Sequence, residues 1–280
     1  MLKTYFFVPA NNLKFIKKAP SIPATNFVYD LEDSISKKEK NIALGNLKNI
    51  KITENTYVRP NLYIENGTLN LELFSQLIEI GFKNFLIPKV SDIIQIQELN
   101  KIFNITKDNF YNFKFILLIE HPAGLLNLTE MIRSKLLNIE LVGLGNYDYS
   151  NTMGMKHNLE NLWYARNKIL NIAKAHELEA IDIVSLNLNA EDEFRNEVLN
   201  GFSMGFDAKF IIHPNQIKIL NNIQFYTDEE INEAKIVYEH ILDIENDTIS
   251  IIKINGKIYE KPHVKRIKKI INWTKRYECK

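Results

Sequence analysis

The chain has 280 residues, 45% of them hydrophobic, enough to bury a sizeable core as one large domain or two small ones. Thirty-five basic side chains against thirty-four acidic ones leave a formal charge of +1, which excludes a global field recruiting nucleic acid, a membrane surface or a polyanion. The one cysteine, Cys279, excludes an internal disulfide and, so close to the chain end, a catalytic thiol.

Eight short apolar runs then follow in order: TYFFV (4–8), FVYD (27–30), TYVR (56–59), NFLIP (84–88), FILLIE (115–120), ELVGLG (140–145), AIDIV (180–184) and KFIIH (209–213). Most are continuous rather than alternating, the pattern of parallel strands covered on both faces. Segments of helical period lie between them, such as Leu71, Phe74, Leu77 and Ile78 before Gly81, or Ala165, Ile169, Ile172 and Ala173. Asp33 or Ser34 reads as the cap of the helix in SKKEKNIALGNL. Eight strand–helix units within about 200–250 residues predict an α/β fold, a (β/α)8 TIM barrel rather than an open doubly wound sheet.

Past the eighth run, Thr227-Asp228-Glu229-Glu230 has the form of a capping box opening a helix to about residue 245. Asn255-Gly256 centres a hairpin, and a basic helix from about 263 to 277 carries an apolar face of Val264, Ile267, Ile270 and Ile271. The expected organisation is a catalytic barrel over 1–245 and an appendage over 246–280, placed to act as a lid over a neighbouring subunit. The opening MLKTYFFVPANN has too short an apolar run for a secretory signal, and no stretch approaches about 18 apolar residues, so a soluble, cytoplasmic protein is expected.

Barrel active sites form where strands run out into the following loops. The eight run ends carry Pro9 and Asn11; Asp30, Glu32 and Asp33; Arg59 and Asn61; Pro88 and Lys89; Glu120; Asp148; Asp182; and His213. Glu120 precedes His121-Pro122, so the next helix begins after it and its side chain is free to face the barrel mouth. Glu120 and Asp148 belong to neighbouring strands, and two hard oxygen ligands with room for water describe a Mg²⁺ site; a pair of carboxylates bridged to Arg59 and Lys89 fits the same spacing. Lys89 reads as an ion-pair partner, with a Schiff-base lysine as the competing role. His213 reads as a structural hydrogen-bond partner, His121 as a neighbour of the site, and His157 as the histidine most suited to face a ligand.

In order, VPANNLKFIKKA, VYDLEDSISKKEKNIA, YVRPN, LIPKV, LIEHPAG, GNYDYS, AIDIVSLN, GFDAKFIIHPNQI and INGKIYEKPHV resemble the motifs of the citrate lyase beta-subunit-like family, with the malyl- and citramalyl-coenzyme A lyases, beside the HpcH/HpaI aldolases. That resemblance implies a TIM barrel in a homotrimer or hexamer and a Mg²⁺-dependent lyase or aldolase. The bond made or broken would join a 2-keto acid (glyoxylate, pyruvate or oxaloacetate) to an enolisable acyl partner such as an acyl-coenzyme A. It implies Glu120 and Asp148 as metal ligands, and Arg59 as the residue binding the keto-acid carboxylate or steadying an enolate. Asp30, Glu32 and Asp33 would surround the metal-bound waters, Asp30 sharing in catalysis, while Lys89, Pro122 and Ala123 would line the substrate site. Glu260 would reach a neighbouring subunit's site to move a proton. An acyl-coenzyme A thioester hydrolase and a non-catalytic ligand-binding homologue stand as alternatives. Three departures bear on the substrate: Ala10 for the usual glycine of VPG, Lys3 for a common arginine, and Asn146-Tyr147 where the acid preceding Asp148 would stand.

Overall fold

The computed structural model describes residues 2–32, 35–64, 67–105, 112–242 and 252–278. The chain divides into two compact units, Leu2–Asn221 and, with Met1, Asn222–Lys280.

The first unit alternates strand and helix: β1 (Lys3–Pro9), α1 (Leu13–Lys18), β2 (Asn26–Asp30), α2 (Lys40–Leu47), β3 (Thr56–Arg59), α3 (Leu71–Ile80), β4 (Asn84–Ile87), α4 (Ile93–Ile105) and β5 (Lys114–Ile119). It continues through α5 (Pro122–Arg133), β6 (Ile139–Leu144), α6 (Asn146–Met153), α7 (Leu159–Ala175), β7 (Glu179–Asp182), α8 (Glu191–Met204), β8 (Ala208–Ile211) and α9 (Pro214–Asn221). All eight strands pair in parallel in sequence order, and β8 returns to β1, so the sheet closes as the expected barrel. The continuous apolar runs are explained by this closure: β3 and β4 are buried at every residue, because one face meets the barrel interior and the other the helices.

Tyr5, Val28, Tyr57, Leu86, Ile116, Leu118, Ile181 and Phe210 fill the interior. Outside β4 and β5, Phe85 and Phe115 meet Phe74 of α3 and Phe103 of α4, with the Phe103 and Phe115 rings edge-to-face at 4.8 Å. A second, polar anchor lies between α7, β7 and α8. Arg166, 1% exposed, makes a bidentate pair with Asp182 (3.0 and 2.9 Å) and donates to Asn200 Oδ1 at 2.7 Å. Asp182 therefore belongs to the packing beneath the rim. Asp182→Ala leaves that guanidinium buried without its carboxylate, and chemical denaturation is expected to show a loss of about 3–5 kcal/mol. A loss below about 1 kcal/mol would mean that Asn200 alone satisfies Arg166.

Local signals fall a few residues from their expected places. Asp33 and Ser34 lie outside the described residues; Ser36 closes a capping box with Glu39 ahead of α2. Asp148 sits in the first turn of α6, not on β6, because Gly145 turns the chain into a helix directly after Leu144.

The second unit holds α10 (Asp228–Leu242), a two-stranded hairpin of β9 (Ile252–Ile254) and β10 (Lys257–Tyr259), and α11 (Lys261–Glu278). Thr227 caps α10 reciprocally with Glu230, and Asn255 and Gly256 take the positive φ values of a tight hairpin turn. The helix over 228–242 groups with this unit rather than with the barrel. Its Glu230 pairs with Arg266 of α11 at 2.6 Å, and its Glu233 accepts from Lys257 and Tyr259 of β10. No helix among the described residues is long and apolar enough to cross a membrane.

Candidate active site at the barrel mouth

Register brings the first two charges together. Asp30 and Arg59 are the last residues of adjacent strands and are paired Cα to Cα. The Arg59 fork then engages Asp30 bidentately, Nε to Oδ1 at 2.7 Å and Nη2 to Oδ2 at 2.8 Å, while Nη1 lies 3.1 Å from Glu32 Oε2. The guanidinium also sits over the Phe7 ring, 5.0 Å from its centre. Glu32 continues the chain of charge, with Lys89 Nζ 2.5 Å from its Oε1. Lys89 is thus ion-paired, as the sequence reading favoured, and holds a left-handed backbone (φ 55°) that turns its N–H toward Glu120.

Glu120 follows the last residue of β5 and is 5% exposed. Its Oε2 accepts the Lys89 backbone N–H at 2.8 Å. His121 caps α5, its Nδ1 accepting from the Ala123 N–H, and Pro122 occupies the first helical position, so the helix starts beyond the carboxylate and leaves it at the rim. Gly145 gives it room: a Cβ there would lie 2.3 Å from Glu120 Cγ and 2.7 Å from Oε1. Burial, then the nearby Glu32 carboxylate, push the Glu120 carboxyl up to about 8, against the opposing pull of Arg59 and the Lys89 N–H. Asp148, half-buried at the N-terminus of α6, has no hydrogen-bond or ion-pair partner among the described residues.

Asp30, Arg59, Glu120 and Asp148 line one cavity of about 440 Å³ at the C-terminal rim, with Phe7, Pro9, Leu118, Leu144, Asn146, Tyr147, Val184, Leu186, Phe210 and Ile212. A second hollow beside it is lined by Lys89, Ala123, Glu120 and Asp148. Pro122 is not among the lining residues of either. Glu260 lies in the second unit with an exposed side chain, its backbone N–H donating to His263 Nδ1. Asp33 lies outside the described residues.

The donor set fits a divalent cation. No cluster of three or more His, Cys, Asp or Glu in metal-holding geometry occurs among the described residues, so the protein offers two carboxylates and leaves the remaining positions to water or substrate, as Mg²⁺ sites do. The four carboxylates Asp30, Glu32, Glu120 and Asp148 face two cations, Arg59 and Lys89. When Glu120 is ionised, that excess of negative charge matches a doubly charged ion.

Two of the substrate-related departures lie away from this cavity. Ala10 is fully buried, its N–H donating to the Asp30 carbonyl, and Lys3 starts β1 at the opposite barrel end, where it pairs with Glu179 at 2.6 Å. The third, Asn146-Tyr147, forms part of the cavity wall. His157 stacks behind Tyr147 (centroids 4.0 Å, 7° between planes) and is not itself a lining residue. His213 caps the turn into α9 through Asn215, the structural role expected of it. The aliphatic and aromatic half of the cavity was not foreseen. Its residues are strand ends and loop aliphatics whose only sequence signal was their place at the ends of the eight runs.

The model of the family HpcH/HpaI aldolase/citrate lyase matches residues 3–214. Citrate lyase subunit beta of Leuconostoc mesenteroides subsp. cremoris is 28% identical over 279 residues, covering 96% of this chain and 92% of that protein. The mitochondrial citramalyl-CoA lyase of Rattus norvegicus is 27% identical over 288 residues, covering 96% and 85%. The solved structure of CitE from Mycobacterium tuberculosis, in complex with magnesium, acetoacetate and coenzyme A, shares the fold with a TM-score of 0.79 at 19% identity, over 96% of this chain and 97% of that one.

Proposed function

The chain belongs to the HpcH/HpaI aldolase/citrate lyase family, and from that membership we propose that it is a Mg²⁺-dependent carbon–carbon lyase joining or separating a 2-oxo acid and an enolisable acyl partner, an acyl-coenzyme A among the candidates. The observation that carries this reading is the convergence of buried Glu120 and unpartnered Asp148 beside the clamped Arg59 in one rim cavity.

In the cleavage direction the substrate is a 2-hydroxy acid whose carbinol carbon is bonded to the carbon next to an acyl carbonyl. The hydroxyl loses its proton and becomes the ketone of the 2-oxo acid, the carbon–carbon bond breaks, and its electron pair passes to the acyl fragment as an enolate. A proton delivered to that carbon completes the acyl product. Bound at Glu120 and Asp148, Mg²⁺ supplies a Lewis acid for the substrate oxygens. Arg59 supplies fixed positive charge, held by Asp30 and Glu32 so that no reorganisation is needed as negative charge develops. Asp30 acts through Arg59 and is a positioning residue. Lys89 orients Glu120 through its backbone N–H and holds Glu32 through its side chain. Ala123 borders the substrate space, and the closing proton falls to Glu260 of a neighbouring copy.

Incubating the protein with Mg²⁺, 2-oxo acids and short acyl-coenzyme A esters, with both fragments followed by mass spectrometry, tests this reading. Condensed or cleaved carbon skeletons are expected; free coenzyme A with no carbon–carbon product would assign thioester hydrolysis instead.

Metal binding should also be pH-dependent, because the ion requires an ionised Glu120. With the Glu120 carboxyl raised to about 8, binding below that pH displaces a proton. Calorimetry is expected to show Mg²⁺ affinity rising about tenfold per pH unit up to about pH 8 and then levelling. Affinity constant from pH 6 to 9 would show that Glu120 is not a ligand.

A further inference from the structure

The rim cavity has two unlike halves. One holds Asp30, Arg59, Glu120 and Asp148; across from it stands Tyr147, among Phe7, Val184, Leu186, Phe210 and Ile212. Tyr147 is fixed from three directions. Its Oη accepts the Leu186 N–H at 3.1 Å, its ring lies flat on His157, and its neighbour Asn146 locks the same corner. The Asn146 carboxamide accepts from the Val184 N–H and donates to the Val184 carbonyl, both at 2.9 Å, and donates again to His157 Nε2 at 2.6 Å. Both amide hydrogens are then used, so the imidazole must accept at Nε2 and stay neutral. Burial, which lowers the His157 pKa, acts in the same direction.

The start of α6 is thereby sewn to the chain that follows β7, and the Tyr147 ring cannot swing out of the wall. Among the described residues lining the cavity, Arg59 is the one cation, and Asp30 and Glu32 already clamp it. A ligand group on the Tyr147 side sheds water and meets rings and methyl groups. An alkyl group gains from that exchange, whereas a carboxylate loses hydration with no opposite charge to replace it.

We propose that Tyr147, braced by His157, is the specificity-determining residue of this site, selecting 2-oxo acids with an alkyl substituent over those carrying a second carboxylate. The proposal rests on the lyase reading for its substrate class. Tyr147 meets the ligand; His157 acts through it and is a positioning residue.

2-Oxobutanoate and oxaloacetate differ as methyl against carboxylate at one position, so their relative binding reads the wall directly, without turnover. Calorimetry with Mg²⁺ present is expected to show 2-oxobutanoate bound at least about tenfold more tightly. Tyr147→Phe keeps that preference, Tyr147→Lys shifts the ratio toward oxaloacetate by about tenfold or more, and His157→Ala weakens 2-oxobutanoate several-fold while leaving Mg²⁺ affinity unchanged. Circular dichroism melts of each variant separate a lost fold from a changed wall. Wild-type protein binding oxaloacetate as tightly as 2-oxobutanoate, or a ratio indifferent to a folded Tyr147→Lys, overturns the assignment. If the binding preference holds while no acyl partner is ever cleaved or condensed, the Tyr147 assignment stands and the lyase reading falls.

Discussion

Glu120→Gln is expected to lower kcat/KM by about a thousandfold or more while raising the melting temperature of the metal-free protein at pH 8 to 9. The two effects have one origin. The native carboxyl is buried beside Glu32, and its folded pKa stands near 8, well above the ordinary value. A raised carboxyl pKa means that the protonated form suits the fold: stability from this group is complete at low pH and is lost as pH climbs through about 8. Glutamine keeps the shape, still accepts the Lys89 N–H, and carries no charge to desolvate, so the variant should gain on wild type across that window. It cannot serve as an anionic ligand, so activity falls. A variant that loses activity and also melts lower at pH 8 to 9 would point to a damaged rim rather than a missing ligand. Full activity would remove Glu120 from the mechanism.

Arg59→Met is expected to combine a large loss of activity with a large loss of stability. Asp30, 2% exposed, and Glu32, 7% exposed, are held by the guanidinium, and removing it leaves two carboxylates buried together. Stranding buried charge in this way costs about 3–5 kcal/mol, and the lost fixed charge at the reacting centre should lower kcat/KM by about a hundredfold or more. Arg59→Lys separates the two contributions. Lysine restores a positive charge, and with it much of the stability, but a point charge cannot reproduce the planar fork on Asp30. Its activity should stay at least about tenfold below wild type. A lysine variant with wild-type turnover would show that charge alone, not the fork, is what the site requires.

Much of the barrel was legible because a strand packed on both faces must be apolar throughout: TYVR and NFLIP become β3 and β4 with every residue buried. Glu120 stood out for a related reason, as a carboxylate ending an aliphatic run directly before a proline. Pairing among charges was harder to read, since Asp30 meets Arg59 only through strand register. The apolar half of the cavity was hardest. Phe7 and Phe210 come from the first and last strands and meet only because β1 pairs with β8, and Asn146 finds Val184 across 38 residues of sequence. No local period records such closures. Helix starts misled for a different reason, because several polar residues in a row can cap, and tertiary context chose Ser36. The unit boundary shifted for a comparable reason: the partners of α10 are β10 and α11, which follow it in the chain.

The central claim is that Glu120 and Asp148 together hold a divalent ion at the mouth of this barrel. Crystals soaked in Mn²⁺, with anomalous diffraction recorded, test it without reliance on knowing the substrate. One anomalous peak within about 2.0–2.3 Å of a carboxylate oxygen from each residue, removed by excess Mg²⁺ and absent from Glu120→Gln crystals, is the expected result. A fully occupied peak elsewhere, or none at the rim at millimolar Mn²⁺ and pH 8.5, would contradict it.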